Sequence, residues 1–169
     1  MQRIRALFKK TTTSTASVDV NAVIQDTISL LRHETERHDI SLRTELDSGV
    51  PPVPADRVQL RQVILNLVMN AIESTASVDA EPKLLLIQSA LAHPDEIRVS
   101  VKDTGPGIDR AHSARLFAPF FTTKLQGIGM GLPISRSIIE AHGGRLWAEN
   151  NEPRGAVFHF TLPTGRPGT

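Results

Sequence analysis

The decapeptide Gln62-Val-Ile-Leu-Asn66-Leu-Val-Met-Asn70-Ala71 lies within a segment, residues 57 to about 74, whose apolar positions have helical spacing. The predicted core face of this helix consists of Val58, Ile64, Leu65, Val68 and Ile72. Residues three and four positions apart are neighbours on a helix, so a second, polar face is also predicted. It consists of Gln59, Gln62, Asn66, Asn70 and Glu73.

The two asparagines of this polar face are unusual, because a solvated helix face normally carries better helix formers. Asn66 and Asn70 are one turn apart. Spacing alone leaves two interpretations open. The amides either bond to nearby backbone at the edge of the core, or they hold a ligand.

The pattern on both sides of this helix predicts an alternation of helices and strands. A helix is expected over residues 21–38, capped by Asp19 or Asn21, and a strand over 40–46. The expected elements that follow are a Pro-rich connector (50–54), a strand pair (83–92 and 96–102), a long loop (103–131), a helix (130–141) and a hairpin (146–148 and 156–162). This order predicts an α+β two-layer sandwich, a mixed, mostly antiparallel sheet with about three helices packed on one face.

The composition of the chain narrows the classes of function. Its 169 residues carry a net charge of +1 and show no basic stripe, so no nucleic-acid partner is expected. The absence of cysteine excludes a disulfide scaffold and a Cys-based metal site. No apolar run is long enough to span a bilayer and no signal peptide opens the sequence. A cytoplasmic location without membrane contact is therefore expected.

A carboxylate ends the second strand of the predicted pair. Asp103 falls on the apolar side of the alternation set by Ile97, Val99 and Val101, where it needs a donor. The turn Thr104-Gly105-Pro106-Gly107 follows, and glycine lets a flat ligand approach the backbone. Asp103 could accept from an exocyclic amino group such as that of adenine. The alternative is an Asp that caps its own turn.

A glycine-rich run precedes the last predicted helix. Gly127-Ile128-Gly129-Met130-Gly131 leads into Leu132-Pro133, and proline is tolerated in a first helical turn. Backbone N–H groups at a helix start attract anions, and glycines let a phosphate come close. The run is neither a dinucleotide fingerprint nor a P-loop. It predicts a phosphate site, with a flexible hinge as the alternative.

The order of these segments resembles the ATP-binding catalytic domain of sensor histidine kinases, in the GHKL or Bergerat-fold ATPase superfamily. The decapeptide is similar to the N box, and Asp103–Gly107 to the first glycine box. Leu116-Phe117-Ala-Pro119-Phe120-Phe121-Thr122-Thr123-Lys124 is similar to the F box, and Gly127–Leu132 to the second glycine box. The resemblance covers residues 20–163 and is closest to nitrogen-regulation and oxygen-sensing kinases. It implies a Bergerat fold with a long ATP lid.

The resemblance also implies roles for individual residues. Asp103 accepts from the adenine amino group and Gly107 lines the base, and Gly105 and Ile108 are further implied contacts to ATP. Asn70 holds Mg²⁺ and Asn66 contacts the phosphate or metal shell; these two are the implied catalytic residues. The remaining implied contacts to ATP are Phe120, Thr122, Thr123, Lys124, Gly127, Ile128, Gly129, Met130, Gly131 and Leu132. Glu73 departs from the family pattern, since many relatives carry a basic residue there.

Within the superfamily, Asn66 favours a kinase over a hydrolase. ATP hydrolases of this fold place a glutamate at this position as a base for water, and a carboxamide cannot act as a general base. Phosphoryl transfer to a histidine depends mainly on positioning and charge neutralisation. The alternatives are a nucleotide-binding regulatory module without transferase activity, and a GHKL-type ATPase or serine kinase.

No histidine of the chain fits as the phosphate acceptor. His33 is followed by Glu34, as in the family's acceptor box, but it lies too close to Asn66 for a helical hairpin to fit between them. Residues 1–17 are expected to be the end of a preceding dimerisation helix and a linker, 18–163 the catalytic domain and 164–169 a tail. The expected partners are that dimerisation and histidine-phosphotransfer domain and a response regulator. The chain alone is expected to be a monomer, and the full-length protein a homodimer.

Overall fold

The computed structural model describes residues 15–113, 115–118 and 131–165. Its helices are α1 (Val20–Arg37), α2 (Arg57–Ala76), the short α3 (Arg110–Ser113) and α4 (Gly131–Ala141). Its strands are β1 (Ala16–Val18), β2 (Ser41–Leu46), β3 (Val53–Ala55), β4 (Leu84–His93), β5 (Glu96–Asp103), β6 (Leu146–Asn150) and β7 (Ala156–Pro163). No helix in these ranges is both long and apolar enough to cross a membrane.

The main sheet has five strands in the order β2-β4-β5-β7-β6. β2 pairs with β4 in parallel, and the other neighbours are antiparallel. One face of this sheet packs against the helices, and alternate residues of the strands are buried there. Val99 of β5 and Phe160 of β7, which are paired, are examples. The predicted α+β two-layer sandwich with a mixed, mostly antiparallel sheet is confirmed.

The two long helices begin at aspartate caps. The Asp19 side chain accepts from the backbone N–H groups of Asn21 and Ala22, so Asp19 is the cap of α1. The Asp56 side chain accepts from Gln59 N at the start of α2. Both caps satisfy N–H groups that have no partner within the helix.

The buried face of α2 differs from the predicted one. Val58 was predicted in the core face, and this is wrong, because it is 78% exposed. Val58 precedes Leu60 by two positions, which is about 200° around the helix. The helix contacts α1, α4 and β5, so it buries a wide face. That face consists of Leu60, Val63, Ile64, Leu67, Val68, Ala71 and Ile72.

A second, two-stranded sheet was not predicted. Residues 53–54 lie in the predicted connector and Ala16–Ser17 in the predicted linker, but β1 and β3 pair antiparallel, with Val18 opposite Val53. Pro54 occupies the middle of β3, and proline in a strand is tolerated only at edges. Three-residue strands are too short for their alternation to be recognised in a sequence.

In its described part, the predicted long loop between β5 and α4 contains the short helix α3. Residues 114 and 119–130 of that loop lie outside the described residues, and so does most of the expected lid, residues 117–124. At the chain's end, Thr164 is buried, and its backbone N–H donates to Asp95 O at 2.8 Å. The first residue of the expected tail thus packs against the turn between β4 and β5.

Candidate nucleotide-binding site

Asn66 joins α2 to the beginning of α4. Its Nδ2 donates to the carbonyl oxygen of Gly131 at 3.3 Å and to Oγ of Ser135 at 3.2 Å. Its Oδ1 accepts from Nε2 of Gln62 at 2.9 Å. The Asn66 amide is therefore bonded to nearby backbone, as one of the two interpretations from sequence has it. The same bonds bring the last glycine of the predicted phosphate run to the polar face of α2.

Ser135 holds the other side of this junction. It is fully buried, and its Oγ donates to Gly131 O at 2.8 Å. A Cβ atom added to Gly131 would lie 3.9 Å from Asn66 Cγ, which is ordinary contact. Gly131 and Leu132 are thus placed in the first turn of α4, beside Asn66.

Asn70 lies one turn beyond Asn66 on the same face and is half-buried. Glu73, the departure from the family pattern, is exposed. One position further, Ser74 meets the turn that follows β5, because a Cβ atom on Gly105 would lie 2.7 Å from Ser74 O. Asn66 and Ser74 are about 12 Å apart along the helix, with Asn70 between them. One helix face therefore connects α4 with the turn after Asp103.

Asp103 is buried at the end of β5, with 1% of its surface exposed. Its Oδ1 accepts from the backbone N–H of Gly105 at 2.9 Å and of Ala156 at 3.0 Å. The bond from Gly105 is the self-capped turn that sequence reasoning kept as an alternative. The bond from Ala156 comes from β7 and fixes the carboxylate from a second direction.

Gly105 and Gly107 are required by the packing of the protein itself. Gly105 is pressed against Ser74 O, as described above. Gly107 has φ +84°, and a Cβ atom there would lie 2.9 Å from Asn150 Oδ1. Sequence reasoning explained these glycines by the approach of a ligand. The structure gives them a reason that needs no ligand. At Gly105 two backbone segments approach too closely for a side chain, and at Gly107 the positive φ and the Asn150 side chain disfavour one.

Asn150 is a residue of this region that sequence reasoning missed. Its Oδ1 accepts from Ile108 N at 2.7 Å, and its Nδ2 donates to Ile108 O at 3.3 Å. The side chain thus pairs with the backbone of Ile108 as another strand would. Asn150 lies at the end of β6, far away in sequence, so no local pattern connects it with Gly107 and Ile108.

The hairpin of β6 and β7 was predicted, but the contact of its turn with Asp103 was missed. Asn151 Nδ2 donates to Asp103 O at 3.0 Å. Gly155 has φ +98°, and a Cβ atom there would lie 2.0 Å from Asp103 O. The Pro153-Arg154-Gly155 sequence signals a turn, but not the strand end that it packs on.

The start of the F-box segment is anchored on the core. The Phe117 ring meets the Phe158 ring edge to face, with centroids 6.4 Å apart. The Arg136 guanidinium of α4 lies over the Phe117 ring at 5.2 Å and bonds Glu140 Oε1 at 3.0 Å. Phe117 is therefore held between the sheet and α4 at the point where the expected lid begins.

Eight of the predicted ATP contacts lie outside the described residues and stay predictions. They are Phe120, Thr122, Thr123, Lys124, Gly127, Ile128, Gly129 and Met130. Among the described ones, the structure groups Asn66 with Gly131 and Leu132 at one end of the polar face. It groups Asp103 with Gly105, Gly107 and Ile108 at the other.

Known proteins match this chain over most of its length. The family model described as histidine kinase-, DNA gyrase B-, and HSP90-like ATPase matches residues 55–166. Sensor protein TdiS of Thauera aromatica is 37% identical over 164 residues, which are 96% of this chain and 30% of TdiS. Sensor protein FixL of Bradyrhizobium diazoefficiens is 51% identical over 124 residues, 73% of this chain and 24% of FixL. The chain thus spans less than a third of these relatives.

Solved structures match as well. The nucleotide-free catalytic domain of histidine kinase ThkA has a TM-score of 0.79 and 38% identity, covering 89% of this chain and 95% of that domain. ThkA in complex with the response regulator protein TrrA has a TM-score of 0.75 and 36% identity, covering 89% of this chain and 42% of that one. By the family match and the near-complete match to the ThkA domain, this chain belongs to the histidine kinase-, DNA gyrase B-, and HSP90-like ATPase family, as a catalytic ATPase domain of the sensor histidine kinase type.

Proposed function

We propose that this chain binds Mg-ATP along the polar face of α2 and transfers the γ-phosphate to a histidine of another domain of its parent protein. The observation that carries this proposal is the double contact of α2. Asn66 bonds the start of α4, and Ser74 packs against the turn after Asp103. An extended nucleotide laid along this face would have a carboxylate at one end and a helix N-terminus at the other.

The Asp103 end suits a purine with an exocyclic amino group. Both bonds to Oδ1 come from backbone N–H groups, which hold the buried carboxylate in one orientation. An oriented, buried acceptor discriminates strongly, because a ligand that lacks the matching donor leaves it unsatisfied. This supports adenine as the base, with Gly105, Gly107 and Ile108 beside it.

The α4 end suits phosphate. Gly131 and Leu132 occupy the first described turn of α4, and the N–H groups at the start of a helix have no partner within it. The Asn66 and Ser135 bonds to Gly131 O fix this turn relative to α2. The predicted phosphate contacts at Gly127 and Gly129 precede the same turn.

The residues at the centre of the face fit Mg²⁺. This ion is usually held by one or two side-chain oxygens together with substrate phosphates, and Asn70 supplies an amide oxygen between the base end and the phosphate end. Asn66 is the second candidate, with its Oδ1 bonded by Gln62. When bound, Mg²⁺ would neutralise charge on the phosphates.

Asn66 supports transfer to histidine rather than hydrolysis. Its amide cannot take a proton from water, and its Nδ2 is committed to Gly131 and Ser135. A neutral imidazole brings its own lone pair. Its nitrogen would bond the γ-phosphorus while the bond to the β-phosphate oxygen breaks, leaving ADP, and the ring N–H proton passes to solvent. This chain's contribution is then orientation.

The proposal is tested by incubating this chain with the histidine-bearing domain of its parent protein and γ-labelled Mg-ATP. The expected result is an acid-labile, base-stable label on that domain, with little free phosphate. Asn70→Ala is expected to lower the labelling rate by at least about tenfold, since a metal contact is lost. Gln25→Ala, which removes an exposed amide from α1, is the matched control.

Two results would contradict the proposal. ATP binding without label on histidine would leave a nucleotide-binding regulatory module. Release of phosphate to water at the rate of ATP consumption would make the chain an ATPase. A response regulator is the proposed downstream partner, supported by the likeness to ThkA in its complex with TrrA. A homodimer formed through the histidine-bearing domain is proposed for the parent protein.

A further inference from the structure

Arg154 ties together three separated segments behind Asp103. Its Nε donates to Thr104 O at 2.8 Å. Its Nη2 donates to Ala80 O at 3.0 Å and to Pro82 O at 2.8 Å. The half-buried side chain thus joins the turn between β6 and β7 to the residue after Asp103 and to the connection between α2 and β4.

Thr104 closes the same network from the opposite side. Its Oγ1 donates to Pro82 O at 2.8 Å and accepts from Leu84 N at 3.0 Å. Pro82 O therefore receives both the Arg154 and the Thr104 side chains. Together, the Arg154 and Thr104 side chains fix where the backbone after β5 lies.

The two residues after Arg154 contact Asp103 directly. Gly155 lies so close to Asp103 O that no side chain fits between them. Ala156 N donates to Asp103 Oδ1 at 3.0 Å. A displacement of Arg154 would therefore move the Ala156 N–H, which helps to orient the Asp103 carboxylate. It would also move Gly155, which packs against the Asp103 backbone.

We propose that Arg154 is a positioning residue that sets base specificity by holding the Asp103 carboxylate in the orientation that accepts from a purine 6-amino group. This inference rests on the proposed function and adds to it a residue that touches no nucleotide. An arginine is needed because its planar fork presents Nε–H and two Nη2 hydrogens in a fixed geometry, which the single ammonium of lysine cannot reproduce.

The readout is the 6-substituent of the purine. ATP carries an amino group there, and inosine triphosphate carries a carbonyl oxygen, which repels a carboxylate. Calorimetry of the unmodified chain with each Mg-nucleotide is expected to give tighter binding of ATP, by about ten- to a hundredfold. Arg154→Ala is expected to lower ATP affinity by about tenfold while inosine triphosphate affinity changes by less than about twofold.

Three further variants separate positioning from loss of structure. Arg154→Lys is expected to fall between Arg154→Ala and the unmodified chain, and it carries the test if Arg154→Ala does not fold. Arg98→Ala removes an exposed arginine from β5 and is expected to leave both affinities unchanged. Arg154→Ala combined with Asp103→Asn is expected to be no worse than Asp103→Asn alone, since Arg154 acts through the carboxylate.

Equal weakening of both nucleotides in a folded Arg154 variant would overturn the inference, because it would indicate a general structural role. So would an unchanged preference for ATP, or full additivity with Asp103→Asn. In each case ATP binding by the unmodified chain would leave the proposed function intact. Absence of ATP binding by the unmodified chain would instead reject the proposed function, and this inference with it.

Discussion

The amide nitrogen of Asn66 lies 3.2 Å from the hydroxyl oxygen of Ser135, and both groups bond the carbonyl of Gly131. The bonds form a closed triangle between the middle of α2 and the first turn of α4. The Ser135 hydroxyl is fully buried and so is shielded from water, whereas the bond between Asn66 and Gly131 lies at an exposed position. The triangle sets the distance between the predicted metal-binding helix and the predicted phosphate-binding turn.

Ser135→Ala is expected to weaken this triangle of hydrogen bonds without creating a large cavity in the core. The Asn66 amide keeps its bond to Gly131 but loses its second acceptor, at a cost of about 1 kcal/mol in unfolding free energy. The rate of phosphotransfer at saturating ATP is expected to fall several-fold, because α4 no longer holds its position. Ser137→Ala, on the exposed side of the same helix, is the control. Equal effects of the two substitutions would show that the triangle has no role.

Asn66→Asp is expected to be more damaging than its size suggests. The substitution replaces the donor Nδ2 by an oxygen, which would face the Gly131 carbonyl at about the present 3.3 Å. Two acceptors at that distance repel, so the start of α4 is expected to be held less firmly against α2. Labelling of histidine is expected to fall at least about tenfold. A gain of hydrolysis to match the lost transfer would contradict the view that position 66 acts here by orientation.

Gly155→Ala is expected to disrupt the base end of the site. The added Cβ would lie 2.0 Å from Asp103 O, at a residue with φ +98°. Overpacking together with an unfavourable φ is expected to cost about 3 kcal/mol or more, with loss of ATP binding. In Gly49→Ala the nearest atom is Asp47 Oδ1 at 3.3 Å, the end of an exposed side chain. Urea unfolding of both variants compares them directly, and similar midpoints would be the contrary result.

The polar face of α2 and the position of Asp103 could be predicted because their signals are local. Asn66 and Asn70 differ by one helical turn, and Asp103 continues a strict alternation along one strand. The set of buried residues on α2 was harder to predict. Val58 has a suitable spacing and side chain, and only the simultaneous contacts of α2 with α1, α4 and β5 decide which residues are buried.

The contacts of Asn150 and Arg154 could not be predicted from sequence, because each depends on a pairing of distant segments. Asn150 meets Ile108 across 42 positions, and Arg154 meets Pro82 across 72. No periodicity reports which turn will lie beside which strand end. Polar residues are common in turns for reasons of turn chemistry alone. Their presence near Gly155 therefore does not indicate that they contact distant segments.

Ser100→Ala tests whether the face of the sheet opposite α1 and α2 is independent of the nucleotide site. Ser100 Oγ lies 2.7 Å from Nδ1 of His159, and His159 Nε2 lies 2.7 Å from Glu149 Oε1. Trp147, the chain's single tryptophan, stacks on the His159 ring with centroids 5.1 Å apart. Loss of the buried Ser100 hydroxyl leaves one ring nitrogen without its partner. Unfolding followed by Trp147 fluorescence is therefore expected to show a loss of about 1–2 kcal/mol.

The affinity of the Ser100→Ala variant for Mg-ATP is expected to stay within about twofold of the unmodified value. The reason is that these side chains lie on opposite faces of the sheet. Ser100 and His159 face away from the helices, whereas Val99 and Asp103 of β5 face towards them. Ser41→Ala, an exposed serine of β2, serves as the control for both measurements. A tenfold loss of ATP affinity with unchanged stability would mean that the two faces of β5 are coupled through the strand itself.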